Sequence, residues 1–158
     1  MRKVVIALAM LPLFATAQCE YSRDEVDAFT GRKITTTKLS KAKAKIDISA
    51  SLYVSAGSVS NKADTTRTIT LALIPSTAVG CVSSSSKAIF LWADGTTEEI
   101  AHAGSIECGN PSHLMIVQEG SRLLTEQPTK VRLYFTKGYV DVELLDESVI
   151  RSLNCLIR

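Results

Sequence analysis

Residues 41–55, KAKAKIDISASLYVS, alternate without a break. Ala42, Ala44, Ile46, Ile48, Ala50, Leu52 and Val54 fall on one side; Lys41, Lys43, Lys45, Asp47, Ser49, Ser51, Tyr53 and Ser55 fall on the other. Period two over that length predicts one strand with one face in a core. Residues 56–65 read as a polar loop. RTITLALIP (67–75) then alternates again, with Ile69, Leu71 and Leu73 on one face and Pro75 as its stop. Together the two predict an antiparallel hairpin.

KAIFLWA (87–93) and TTEEIA (96–101) flank Asp94-Gly95. That dipeptide predicts a two-residue hairpin turn, because Gly accepts the positive φ such a turn demands. The first arm is apolar on both faces, as a central strand would be. SHLMIVQ (112–118) reads as a short strand, and EGSRLLTEQP (119–128) as a loop with a helical turn at Leu123 and Leu124. KVRLYFTKGYVDVELL predicts a hairpin turning at Lys137-Gly138, with Phe135 opposite Val140, Leu133 opposite Val142 and Val131 opposite Leu144. Those are the apolar positions of both arms, so register and pattern agree.

The last segment, DESVIRSLNCLIR, predicts a helix capped by Asp146, with Glu147 near the positive end of the dipole. Val149, Ile150, Leu153, Leu156 and Ile157 form its apolar stripe, and Cys155 lies on the opposite side. Residues 19–31 are polar and turn-like, with Phe29 as their anchor. The fold expected is mainly β: a single small antiparallel sandwich or strongly bent sheet of about seven strands with a C-terminal helix.

Ahead of this domain, Met1-Arg2-Lys3 is followed by an apolar run to Ala15 and then Ala15-Thr16-Ala17. A charged start, a short apolar stretch and a small-x-small site predict a secretory signal over 1–17, with one domain over 18–158. The run is shorter than the ~20 residues a bilayer span needs. A lipid anchor on Cys19 would need a small residue before it, and Gln18 is bulky and polar. The expected location is therefore the periplasm or the cell exterior, with Cys19 unlipidated.

Cleavage removes Arg2 and Lys3 from 18 basic side chains and leaves 16 against 16 acidic ones. A neutral chain is not a generic polyanion binder, so nucleic acid is not an expected partner. All four cysteines, Cys19, Cys81, Cys108 and Cys155, follow the cleavage site. An even count in an exported chain predicts two disulfides, for which three pairings exist. A ladder running back from Asp94-Gly95 sets Cys81 opposite Cys108. Cys19 and Cys155 then remain for each other, tying the N-terminal tail to the helix. The wide spacing does not fit a zinc site.

DAFTGRKITTTK (27–38) and VRLYFTKGYVDVEL (131–144) resemble two stretches of a family of small uncharacterised secreted bacterial proteins. These open with Asp-x-Phe-Thr-Gly-Lys/Arg and carry a late Thr-x-Gly-Tyr-Ile/Val-Asp hairpin. The resemblance implies a fold and an export route, and no activity.

Candidate chemistry is sparse. His102 and His113, with Glu98, Glu99 or Glu107 near in sequence, are the available metal ligands, but their spacing matches no ligand motif, and a surface or rim position is expected for each. The Ser83–Ser86 run reads as a loop rather than a nucleophile. Asp141 and Glu143 share one strand face about 7 Å apart, which suits a carboxylate pair, but alternation alone also places two solvated acids there. Arg32, Lys33, Lys38, Lys41, Lys43 and Lys45 crowd fourteen residues, the last three as a row on one strand face. Such a row suits an anionic glycan, and it equally serves to protect a sheet edge.

These features predict an exported, non-catalytic binding or structural domain without cofactor or metal, whose partner is an anionic glycan or an envelope protein. A small envelope hydrolase or inhibitor, and a polyanion-binding module built on the lysine row, are the alternatives.

Overall fold

The alternating stretch 41–55 is shared between two sheets. The computed structural model describes residues 19–46, 51–61, 67–77, 79–109 and 111–157. The expected signal at 1–17, the middle of the 41–55 strand and the loop tip at 62–65 lie outside them. Among the described residues, eleven strands form two antiparallel sheets with one C-terminal helix. Their order is β1 (Tyr21–Val26), β2 (Arg32–Thr37), β3 (Ser40–Ala42), β4 (Ala44–Ile46), β5 (Leu52–Asn61) and β6 (Arg67–Pro75). β7 (Lys87–Leu91), β8 (Thr97–Ala101), β9 (His113–Val117), β10 (Lys130–Phe135), β11 (Gly138–Leu144) and α1 (Ser148–Ile157) follow, with a short 3-10 turn at Arg122–Leu124 before β10.

The first sheet runs β1-β2-β5-β6-β9, with β3 also on β5; the second runs β4-β11-β10-β7-β8. Thus Lys41 pairs with Tyr53 in one sheet, while Lys45 pairs with Glu143 in the other. The chain crosses between sheets at Lys43. There its N–H donates to Asp146 Oδ2 at 3.2 Å, and its carbonyl accepts from Leu145 N–H at 2.8 Å. The expected single strand, and with it the single lysine row, does not form. Alternation reports which face is buried, not which neighbour is paired. Both sheets bury a face in the same core, so a strand changes sheets without breaking period two.

That core lies between the sheets and under α1. Leu52, Val54, Leu71, Leu73 and Met115 line the first sheet; Phe90, Val131, Leu133 and Val142 line the second; Val149, Leu153 and Leu156 come from the helix. Each such side chain, once fully buried, contributes about 1.5–3 kcal/mol of transfer free energy. Asp146 caps the helix as expected, its Oδ1 accepting from Ser148 N–H at 3.2 Å. Ile157, placed in the apolar stripe by spacing, is 43% exposed, because the stripe has turned off the core in the last turn.

Both glycine turns differ from the expected geometry. Trp92 and Thr96 close a loop of Ala93, Asp94 and Gly95, with Gly95 at φ +84. It has three residues instead of two, so β7 and β8 pair as Ala88 with Ile100 and Phe90 with Glu98. Between β10 and β11 the turn is Thr136-Lys137 rather than Lys137-Gly138, since Phe135 pairs with Gly138. The turn is held from outside the hairpin: Thr136 N–H donates to the Cys81 carbonyl, and Thr136 Oγ1 accepts from Cys81 N–H.

The tail at 19–31 is not a loop packed through Phe29. β1 pairs with β2, and Asp27 Oδ1 accepts from the N–H groups of Phe29 and Thr30 at 2.8 and 3.0 Å. These bonds make 27–31 a tight turn with Phe29 at its apex, fully exposed.

Disulfides join Cys19 to Cys155 and Cys81 to Cys108. The second sits beside an isolated bridge between Val82 and Glu107, where four residues, 103–106, stand against three, 83–85, and take up the one-residue difference in the β7–β8 register. Cys155 lies on the outer side of α1, and Tyr21 Oη donates to its carbonyl at 2.8 Å, so the tail crosses the outside of the helix. A second clasp holds the 3-10 turn to the β7–β8 hairpin. Arg122 stacks over Trp92 at 5.0 Å and ion-pairs with Asp94 and Glu126, while Glu98 accepts from Ser121 Oγ.

Candidate functional site

The solvent face of the second sheet can be read row by row from its register. The first row crosses all five strands as Lys45, Glu143, Lys130, Leu91 and Thr97. Next to it runs Asp141, Arg132, Ile89 and Glu99, and beyond that the pair Tyr139 and Tyr134. The first two rows, Glu99 excepted, line a groove of about 460 Å³, with Ile89 and Leu91 as its floor.

Its charges are unevenly satisfied. Arg132 grips Asp141 with both arms of its guanidinium, at 2.6 and 2.7 Å, and lies 4.1 Å above the Tyr139 ring. That fork holds the Asp141 carboxyl below its usual range and raises Arg132. A general acid needs the opposite shift, so Asp141 is not poised to act as one. Lys87 is drawn to Glu99 at 2.8 Å and sits 5.5 Å from the Tyr134 ring. Among the described residues, Lys45, Lys130 and Glu143 have no ion-pair partner within 4.0 Å. The groove therefore presents two free ammonium groups against one free carboxylate, over an apolar floor and beside an exposed tyrosine.

The remaining basic residues do not converge on it. Lys33 pairs with Asp24 at 3.2 Å and Lys38 with Glu20 at 3.1 Å. Arg32 stands at the end of the β1–β2 hairpin, and Lys41 belongs to the other sheet.

Both histidines are buried, not at the surface or rim. His113 starts β9 on the same face as Met115 and Val117, which the strand turns into the core. Its ring meets Phe135 edge-on at 4.8 Å and His102 at 6.1 Å, and neither nitrogen has a protein hydrogen-bond partner. His102 accepts from Leu114 N–H at Nδ1 and reaches the Ser105 carbonyl from Nε2 at 3.1 Å, so the proton is on Nε2. The nearby acids serve elsewhere: Glu98 holds Ser121, Glu99 holds Lys87, and Glu107 accepts from Ser112 N–H. Among the described residues no three metal-ligating groups gather. The serine run is a closed turn, in which Ser86 Oγ accepts from Ser83 N–H and Ser83 meets Ser85.

No protein-family model, curated protein or solved structure matches the chain.

The histidine pair has a steric guard. A Cβ on Gly104 would lie 2.8 Å from both Cε1 and Nε2 of His102. Gly104→Ala is expected to push the ring off its two backbone partners and cost about 1–3 kcal/mol. A thermal melt reads the loss; an unchanged midpoint would show that the loop gives way instead.

The sequence did not single out Lys130, Arg132, Tyr139, Ile89 or Leu91. For Lys130, Arg132 and Tyr139 the signal was present in the outward positions of the 130–144 hairpin, and for Ile89 and Leu91 in the apolar run of β7, but it needs the register to become a site.

Proposed function

We propose that this chain is an exported, free bacterial domain that acts by binding, and that its ligand surface is the groove on the second sheet. The observation that carries the reading is the groove's residual charge: Lys45 and Lys130 unpaired, with Arg132 locked between Asp141 and the Tyr139 ring. An anionic glycan fits this chemistry. Its carboxylates meet the two ammonium groups, and its sugar rings lie on tyrosine and the aliphatic floor. Export is supported by the two disulfides, which belong to an oxidising compartment. Among the described residues no helix is long and apolar enough to cross a membrane. A free rather than lipid-anchored chain is supported by Cys19, whose sulfur is bonded to Cys155.

The test is an NMR titration of the isotope-labelled protein with a carboxylate-bearing oligosaccharide, trigalacturonate, against its neutral counterpart. Saturable shifts at Lys45, Lys130 and Tyr139 are expected with the acid alone, and Lys45→Ser with Lys130→Ser should abolish them. Shifts that ignore this double replacement would remove the groove as the site. Turnover in a hydrolase screen that one point mutation destroys would overturn the non-catalytic reading.

A further inference from the structure

The free charges of the groove alternate in sign along its first row. Lys45 on β4 stands opposite Glu143 on β11, and Glu143 stands opposite Lys130 on β10. Across the sheet the order is ammonium, carboxylate, ammonium, and then the uncharged Leu91 on β7 and Thr97 on β8. Strand alternation fixes the side on which they stand. Val131, Val142 and Leu144, the chain neighbours of Lys130 and Glu143, are buried, and Ala44 and Ile46 beside Lys45 pack against the core.

The second row does not blur this pattern. Arg132 and Asp141 neutralise each other through their forked contact, and Glu99 at the far end is held by Lys87. Neighbouring strands lie about 4.8 Å apart, so the backbones carrying Lys45 and Lys130 are roughly 10 Å apart, with Glu143 midway. The whole row spans about 19 Å.

A glycan extended along the row advances by about one strand spacing per sugar ring. Successive rings therefore meet Lys45, Glu143 and Lys130 in turn, and a fourth rests on the aliphatic surface of Leu91 and Ile89. A carboxylate on the first or third ring finds an ammonium group. A carboxylate on the second would be brought against Glu143, a like charge, and would weaken the complex. What Glu143 can take from that ring is a donor, a hydroxyl or an amide N–H.

We infer that the groove reads the spacing of charge as well as its sign. Its ligand is a glycan with a carboxylate on every second sugar and neutral, hydrogen-bond-donating sugars between. The inference rests on the groove being the ligand surface, and narrows anionic glycans to those built on a disaccharide repeat with one uronate. Net charge and pattern then make opposite demands. Attraction by net charge favours the ligand with more carboxylates; the row favours the one with fewer, correctly spaced.

Isothermal titration calorimetry of the oxidised protein at one ionic strength tests this with two probes of equal length. Hyaluronan hexasaccharide alternates glucuronate with N-acetylglucosamine, and hexagalacturonate carries a carboxylate on every ring, hence twice the charge. The hyaluronan hexasaccharide is expected to bind at least about tenfold more tightly. Glu143→Gln should erase that preference, since the amide still accepts from a hydroxyl and no longer repels a carboxylate. Circular dichroism confirms the fold, and Glu143→Thr replaces a Gln variant that unfolds. Hexagalacturonate binding as tightly as the alternating probe overturns the inference and leaves the groove a plain anion site. A preference that persists in the Glu143 variant overturns it too. Absence of saturable binding by both probes, or binding that survives Lys45→Ser with Lys130→Ser, removes the groove itself and the inference with it.

Discussion

Serine at both Cys19 and Cys155 should lower the unfolding free energy by about 4–5 kcal/mol, and serine at both Cys81 and Cys108 by about 3–4 kcal/mol. The order follows from the loops that each bond closes. The cysteines of the first pair are 136 residues apart in sequence and those of the second 27, and a longer closed loop removes more entropy from the unfolded chain. Intuition from the folded state runs the other way. Cys19 ties down an exposed edge strand, whereas Cys81 and Cys108 join segments beside the β10–β11 turn. Urea unfolding of the two double variants separates the accounts. A smaller loss for the 19–155 pair would mean that β1 frays alone and the bond acts as a local tether.

His113 should make stability fall as the medium turns mildly acidic. Burial first, and then the nearby His102, hold its imidazole down at about 4. In the unfolded chain a histidine titrates near 6.5. Between those values the unfolded state binds a proton that the folded state refuses. The contribution of His113 is thus complete above about pH 6.5 and is lost as pH falls towards 4, at up to about 1.4 kcal/mol per unit and about 3 kcal/mol in all. The held-down carboxyls of Asp24, Asp27, Asp94 and Asp141 begin to cost stability only below the ordinary carboxylate range, so they do not share this window. His113→Phe keeps an aromatic ring against Phe135 and removes the proton site. Denaturant midpoints at pH 7.5 and 4.5 should converge in that variant and diverge in the wild type. Equal divergence in both proteins would place the acid sensitivity in another group.

Much of the fold was legible in the alternation, because burial on one face is what alternation records. The interior position of β7, the helix and the outward placing of Cys155 are all visible in it; the partnership of β5 with β6 is too, but not its extent, since residues 56–61, read as loop, continue β5 to Asn61 and pair with β6 through Ser60. Pairing was less legible. In the 130–144 hairpin the expected turn lay one residue too far along, which shifts opposed partners by two. A shift of two preserves every face, so Val131, Leu133, Phe135, Val140 and Val142 were all assigned to the core correctly. The same shift sets Arg132 opposite Glu143, whereas its partner is Asp141. The core thus survives an error that hides the site. The lysine row failed for a related reason: alternation cannot distinguish a strand from a crossing between strands. The histidines were misjudged because a polar side chain next to a turn reads as exposed, while tertiary packing had turned His113 inward.

The crossing at Lys43 also bears on how the molecule comes apart. Three residues before it are stitched to β5, three after it to β11, and the crossing residue itself is held by Asp146 and Leu145 at the entrance to the helix. Peeling either layer away would tear hydrogen bonds from the other and loosen the helix start as well. The two layers are thus expected to melt together rather than open in turn as separate foldons.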